Sequence, residues 1–419
     1  MSLEPNLILI ALSVIIILSY LFNFISNAIK IPSVILLIGT GILLNYAGGY
    51  WNFSISVTDT VLQLFGTLGL ILIVLEGALD LKITKQKAPL IFKSLLSALV
   101  ILVVTAAVVT MILNFWLGVE VEKAIVYAIP LAVISSAIAI PSVHKLSENK
   151  KEFIIYESTF SDVLGIMFFN YAIGGDIRSS ESVMMFFGNF FIIMIISAIA
   201  SLVLLWLLNH VKTHVKFFLV FAILLLIYGI GKKFHLSSLL LILVFGLMLN
   251  NNKLFIKGKL ARYLHIDKIS AINEELKLIT AESAFLIRTF FFILFGYSMN
   301  LMVLLDIDVI FIGLLIITTI LFIRYIFLRF ISHINLFPEI FIAPRGLITI
   351  ILFLSIPEQF KIDEFSEGIL FFVIIASSLI MMFGLMFSKA EFVESTQVET
   401  TTIKKSLGDF DSPNSGNGL

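Results

Sequence analysis

The chain has 419 residues, of which 59% are apolar and only 13% charged, with a mean hydropathy of +1.09. A soluble chain carries about 25% charged residues to cover its surface, so this composition points to an integral membrane protein. The 28 Lys+Arg balance the 28 Asp+Glu, which disfavours a nucleic-acid binder, and the absence of Cys excludes thiol catalysis, Cys-based zinc sites, iron–sulfur clusters and disulfides.

Crossing the hydrocarbon core takes about 20 apolar residues as helix. Thirteen spans are predicted, at 7–25, 32–47, 60–79, 89–113, 124–142, 153–173, 183–208, 215–231, 236–250, 283–300, 307–328, 338–357 and 367–388. Helix is the reading for all of them, because lipid offers backbone groups no partner outside their own segment. The first span has no basic stretch ahead of it and no small-residue cleavage site behind it, and is read as a retained helix. If the N-terminus starts outside and the spans alternate, 20 of the 28 cations fall in inside loops and 5 outside (Lys123, Arg178, Lys232, Lys233 and Lys361), while Arg288, Arg324 and Arg345 stay within spans. That asymmetry predicts thirteen helices, N-out and C-in. Residues 1–390 form one transmembrane domain in this reading. The segment 391–419 is a short polar cytoplasmic tail, expected to be disordered and too short for a nucleotide-binding regulatory domain. The inside loop 251–282 leads into Ile266–Ser283, a stretch able to form a short amphipathic helix on the cytoplasmic surface.

Ionisable groups at membrane depth are costly and are functional candidates by default. The densest set lies in the sixth span: Glu157, Ser158, Ser161 and Asp162. At about 100° per residue, Ser158 and Asp162 fall one turn apart on one face, with Glu157 and Ser161 beside them. A carboxylate with hydroxyls one turn away suits a dehydrated alkali cation, since hard cations take oxygen ligands. The same carboxylate can bind a proton instead. The bland alternative is that Asp162 is a structural buried acid capped by its helix neighbours.

The fifth span is interrupted by Pro130 and Pro141, with Ser135 and Ser136 between them, and the twelfth by Pro344 and Gly346 around Arg345. Two broken spans seven segments apart fall at corresponding positions of two six-helix halves (spans 1–6 and 8–13). Seven is odd, so the halves are inverted in the membrane. Transporters with sites between discontinuous helices have this pattern, although ordinary proline kinks would also give the two breaks. Arg324, one to two turns inside the eleventh span, either snorkels to the interface or turns inward to neutralise Glu157. Glu76 and Arg288 lie near inside ends and stay open between structural and functional roles. The six histidines fall in loops or at span ends and form no metal-ligand set. No catalytic triad, intramembrane-protease pair or zinc-protease helix is present, so no enzyme is expected.

These residues resemble the monovalent cation:proton antiporter (sodium/hydrogen exchanger) family. Leu75–Leu81 (LEGALDL) is similar to the family's Phe-Glu-Gly-Ala-Leu segment, and Ser135–Leu146 to the stretch from Thr-Asp-Pro to Lys-x-Leu. Glu157–Asp162 (ESTFSD) resembles Glu-Ser-x-x-Asn-Asp, Phe285–Gly296 the tenth helix, and Ala343–Leu347 (APRGL) the Gly-Leu-Arg-Gly segment, while Arg324 stands at the family's eleventh-helix basic position. The ordered set extends over about 270 residues of this chain. The resemblance implies an all-α polytopic fold of inverted six-helix repeats with two crossed discontinuous helices, and a core domain moving against a dimerisation domain. It implies Asp162 as the exchanging carboxylate and as the Na⁺ site, Ser158 as a cation ligand, and Glu157 with Arg324 as a structural ion pair. Two departures stand out: Ser135-Ser136-Ala137 replaces Thr-Asp-Pro, and Ser161-Asp162 replaces Asn-Asp. The expected ion- and proton-binding set is therefore Asp162, Ser158, Ser135, Ser161 and Ser136, with one acid and so electroneutral exchange. The expected protein is a homodimeric antiporter of the inner membrane that needs no cofactor and exchanges Na⁺, Li⁺ or K⁺ for H⁺. Two rivals are a sodium-coupled organic-anion symporter, for which Arg345 is the suspicious feature, and a sensor or scaffold that has lost transport.

Overall fold

The computed structural model describes residues 5–29, 32–50, 59–143, 146–174, 180–210, 217–233, 238–255, 266–332 and 337–387. The chain is all-helical across them. In order come α1 (Pro5–Ile29), α2 (Ser33–Tyr50), α3 (Asp59–Asp80), α4 (Ala88–Leu117), α5 (Val121–Ala132), α6 (Ser136–Ser142), α7 (Glu148–Gly174) and α8 (Ser180–His210). They are followed by α9 (Phe217–Lys233), α10 (Ser238–Asn250), α11 (Asn252–Phe255), α12 (Ile266–Ser298), α13 (Ile307–Ile326), α14 (Leu347–Leu354) and α15 (Glu367–Phe387). Helical structure occupies all thirteen predicted spans.

Two spans differ in detail from the sequence reading. The amphipathic stretch from Ile266 is not a separate surface helix: it forms the first turns of α12, a 33-residue helix that continues into the tenth span. Nothing in its sequence stops it, since its only glycine is Gly296, near the end, and it contains no proline. The twelfth span is helical only in part. Glu339–Phe341 makes a single 3₁₀ turn, residues 342–346 have no regular structure, and α14 covers just eight residues. The tail from 391 and five of the histidines (His144, His214, His235, His265 and His333) lie outside the described residues.

Among the described residues, six helical segments are long and apolar enough to cross a membrane, and five shorter apolar helices accompany them. Helix α7 is not one of the six, because Glu157, Ser158, Ser161 and Asp162 lower its hydropathy; all four are buried. Such a helix is stable only when surrounded by protein that satisfies its polar groups. The packing provides this. Helices α4–α7 and α13–α15 contact one another in one group, and α1, α2, α8–α10 and α12 pack in another, around α3. Helix α3 touches both groups, and its residues from Leu70 to Leu75 are all buried, so it presents no lipid-facing side there.

Close approach at the centre depends on missing side chains. A Cβ on Gly165, one turn beyond Asp162, would lie 2.2 Å from Val133 Cγ2, so α7 passes the end of α5 only as glycine. Overpacking of this kind costs about 1–3 kcal/mol. Gly165→Ala is therefore expected to lower the melting temperature of the detergent-solubilised protein, and adding Val133→Ala, which vacates the clashing methyls, should restore most of the loss.

Candidate functional site at the helix break

The site begins where α5 stops. Val133 and Ser135 are extended (φ −72°, ψ 133° and φ −81°, ψ 115°) before α6 resumes at Ser136. The extended residues of the twelfth span run against this break, and the Ser135 amide donates to the Pro344 carbonyl at 2.9 Å. Gly346 allows the contact: a Cβ there would lie 2.5 Å from Ile138 Cδ1 and 3.0 Å from Ser135 Oγ.

An interrupted helix leaves carbonyls without partners at its C-terminus, where the helix dipole is negative. Arg345 meets both needs at the end of α5. Its Nε donates to Leu131 O (2.9 Å), Nη2 to Ala132 O (3.0 Å) and Nη1 to Ala343 O (2.6 Å). The side chain is wholly buried, and its own amide donates to Ser377 Oγ at 3.0 Å. The opposite pole, the start of α6, faces a carboxylate: Asp162 Oδ2 accepts from Ser136 Oγ and from the Ser136 amide at 3.4 Å. Ser161, beside it on α7, accepts from the Ile134 amide at 2.9 Å and so holds the strand-like linker in place.

Two buried oxygens here lack a hydrogen-bond partner, Asp162 Oδ1 and Ser135 Oγ. Asp162 is also the buried acid whose contacts are all neutral, a hydroxyl and an amide. Ser158 lies on the same helix and is fully buried, with its hydroxyl turned back to the Ile155 carbonyl at 3.3 Å. The structure thus brings Asp162, Ser135, Ser136 and Ser161 together around the break with Pro344, Arg345 and Gly346. Pro130 sits inside the last turn of α5, and Pro141 at the far end of α6.

One turn of α7 from Asp162 is a second charged layer. Arg324 grips Glu157 with both ends of its guanidinium, Nη1 to Oε1 at 2.9 Å and Nη2 to Oε2 at 2.8 Å, and Ser97 Oγ adds a donor to Oε1. The remaining Nε donates to the Glu339 carbonyl at 2.8 Å. Arg324 therefore turns inward, tying α7 to the start of the twelfth span. The Glu339 side chain is itself fully buried and faces Lys150 Nζ at 3.4 Å; that ammonium also donates to the Phe337 carbonyl at 2.6 Å. Sequence reasoning missed Glu339. Its one signal was an acid placed just inside a proline-broken span, six residues ahead of Arg345.

Glu76 and Arg288 lie elsewhere, lining a cavity of about 360 Å³ among α1, α2, α3, α6 and α12. Tyr20 and Glu282, joined by a 2.8 Å hydrogen bond, form part of its wall.

The family model described as sodium/hydrogen exchanger, transmembrane, matches residues 11–389. Among solved structures, the chain is similar to the sodium proton antiporter MjNhaP1 from Methanocaldococcus jannaschii at pH 8, with a TM-score of 0.64 and 19% identity over 92% of this chain and 99% of that one. A second structure of that antiporter, from an electron-microscopy map, gives a TM-score of 0.60 and 18% identity over 98% of this chain and 100% of that one. At these identities the likeness concerns the fold. A search of curated proteins finds no match.

The buried ion pair yields a stability test. Removing one partner of such a pair leaves an uncompensated charge and costs about 3–5 kcal/mol. Arg324→Met should therefore strongly reduce thermal stability in detergent, whereas Arg324→Met combined with Glu157→Gln should recover much of it.

Proposed function

The chain belongs to the sodium/hydrogen exchanger family, and on that premise we propose that it is an antiporter exchanging Na⁺, with Li⁺ or K⁺ as alternative cations, for H⁺ at Asp162. The family consists of transporters rather than enzymes. The observation that carries the reading is the pair of buried oxygens at the break, Asp162 Oδ1 and Ser135 Oγ, which have no hydrogen-bond partner. A dehydrated monovalent cation takes oxygen ligands of this kind, and burial makes an unoccupied carboxylate costly.

In this mechanism Asp162 releases a proton on one side, takes the cation with Ser135, and crosses with the helices around it. Ser158 is placed to join when its oxygen turns from Ile155, and Ser136 and Ser161 hold the carboxylate and the linker. The empty charged site crosses slowly because a bare buried anion is expensive, and that penalty enforces exchange. With Ser161 beside Asp162, where the family's electrogenic branch carries two aspartates, that pair holds a single acid, so one proton leaves per cation and exchange is electroneutral. Glu157 and Arg324 keep the scaffold of the site rather than contact the ion.

The protein acts in the cytoplasmic membrane as a homodimer, N-out and C-in, with residues 391–419 as a cytoplasmic tail. The organic-anion alternative loses its motive, because the guanidinium of Arg345 is engaged with three backbone carbonyls.

Reconstituted liposomes holding a pH dye should show cation-dependent proton flux when Na⁺, Li⁺ or K⁺ is added. Asp162→Asn should reduce that flux to the level of empty liposomes, and clamping the membrane potential should leave the wild-type rate unchanged. Flux in Asp162→Asn equal to wild type would remove Asp162 as the exchanging group, and a rate that follows the potential would remove electroneutrality.

A further inference from the structure

Proline at 141 has a consequence four residues earlier. It brings no N–H, so the Ala137 carbonyl loses its partner within α6. Ala137 is 2% exposed, out of reach of water, and an unmet carbonyl there is costly. The missing donor comes from another packing group: Arg288 Nη1, on α12, reaches it at 3.1 Å. Arg288 is itself buried, and it lines the cavity together with Pro141 and Glu76. Helix α6 is only seven residues long, and its other end, Ser136, holds Asp162. A single short rigid element therefore joins the carboxylate to the cavity wall.

We propose that Arg288 is a positioning residue that latches the two packing groups together, with Glu76 as its alternative partner. Bonded to Ala137, it ties α12 to the helix that carries Ser136. Turned to Glu76 on α3, the helix that touches both groups, it lets go of the Ala137 carbonyl and α6 is free to move. Proline 141 makes the latch possible by keeping the Ala137 carbonyl available. The inference rests on the exchanger reading, since it assigns Arg288 a part in the rate of crossing and none in cation binding.

The absence of cysteine allows two independent readouts on the full-length protein. In liposomes, Arg288→Gln is expected to lower the maximal exchange rate about tenfold, as loss of a charge-assisted hydrogen bond would, with the half-saturating Na⁺ concentration unchanged. In the second readout, a single cysteine replaces Ala281 on the cavity wall and is labelled with a maleimide. Arg288→Gln should slow labelling, because the open cavity is the latched arrangement. Pro141→Ala gives the Ala137 carbonyl an in-helix donor and should slow labelling in the same direction, and Arg288→Gln added to it should have little further effect. Arg288→Lys, which keeps a charged donor, should fall between wild type and Arg288→Gln.

Equal Arg288→Gln effects with Pro141 and with Ala at that position, or a shift in half-saturating Na⁺ without a change in maximal rate, would overturn the latch. If Arg288→Gln does not fold, Pro141→Ala alone decides: unchanged labelling overturns the proposal. Absence of exchange by the wild type would refute the antiporter reading, while the labelling series would still judge the latch.

Discussion

Within a membrane, backbone amides and carbonyls cannot turn to water, and an interrupted helix creates several that have lost their helical partners. Most of the polar architecture at the centre of this protein answers that constraint. Arg345 caps the last carbonyls of α5, Ser161 accepts from the Ile134 amide, the Pro344 carbonyl takes the Ser135 amide, and Arg288 reaches the carbonyl freed by Pro141. The partners come from three parts of the chain: Ser161 on α7, Arg288 on α12, and the adjacent Pro344 and Arg345 in the twelfth span. The break at Val133–Ser135 is therefore a place where the fold is held together, and it can persist only while its neighbours stay in register.

The same accounting separates the charges by role. The six buried carboxyl and guanidinium side chains among the described residues are three acids and three arginines: Glu157, Asp162, Glu339, Arg288, Arg324 and Arg345. Arg345 and Arg288 are used on carbonyls, and Arg324 on Glu157 and on backbone. Lys150 faces Glu339 from the end of α7. Asp162 is left with neutral partners only, the hydroxyl and amide of Ser136. A direct arginine partner would compete with any ion for its oxygens.

Much of this was legible from residue order. Long apolar runs marked the helices, because lipid leaves a chain few other choices. Prolines at 130, 141 and 344 marked the two interrupted spans, although the fifth breaks at 133–135, between its two prolines, which both lie within helix. The spacing of Glu157 and Asp162 on one helix marked the polar face. What stayed hidden depends on contacts between distant segments. Arg345 in sequence is a charge beside a glycine; that it caps a helix more than 200 residues away follows only from the crossing. Glu339 sat where a loop acid is common, and its burial comes from the enclosure of the 3₁₀ turn by α13 and α15. The extent of α12 was underestimated for a different reason. Its first turns are amphipathic, and a polar face reads as a boundary even when the backbone runs straight through it.

Ser136 stands where the family resemblance expects an acid, and its contact with Asp162 has a chemical property that an acid would lack. A hydroxyl is donor and acceptor at once, whereas an ionised carboxylate only accepts. While Asp162 is charged, Ser136 Oγ gives it a hydrogen. Once Asp162 carries its own hydrogen, the direction of that bond can reverse, with the serine oxygen receiving. The contact survives either state by rotation about one C–O bond, and no partner has to be found or discarded as the carboxyl changes form. Two facing carboxylates would have to share a proton or repel each other, so the serine turns a potential conflict into a two-way hinge for a single hydrogen.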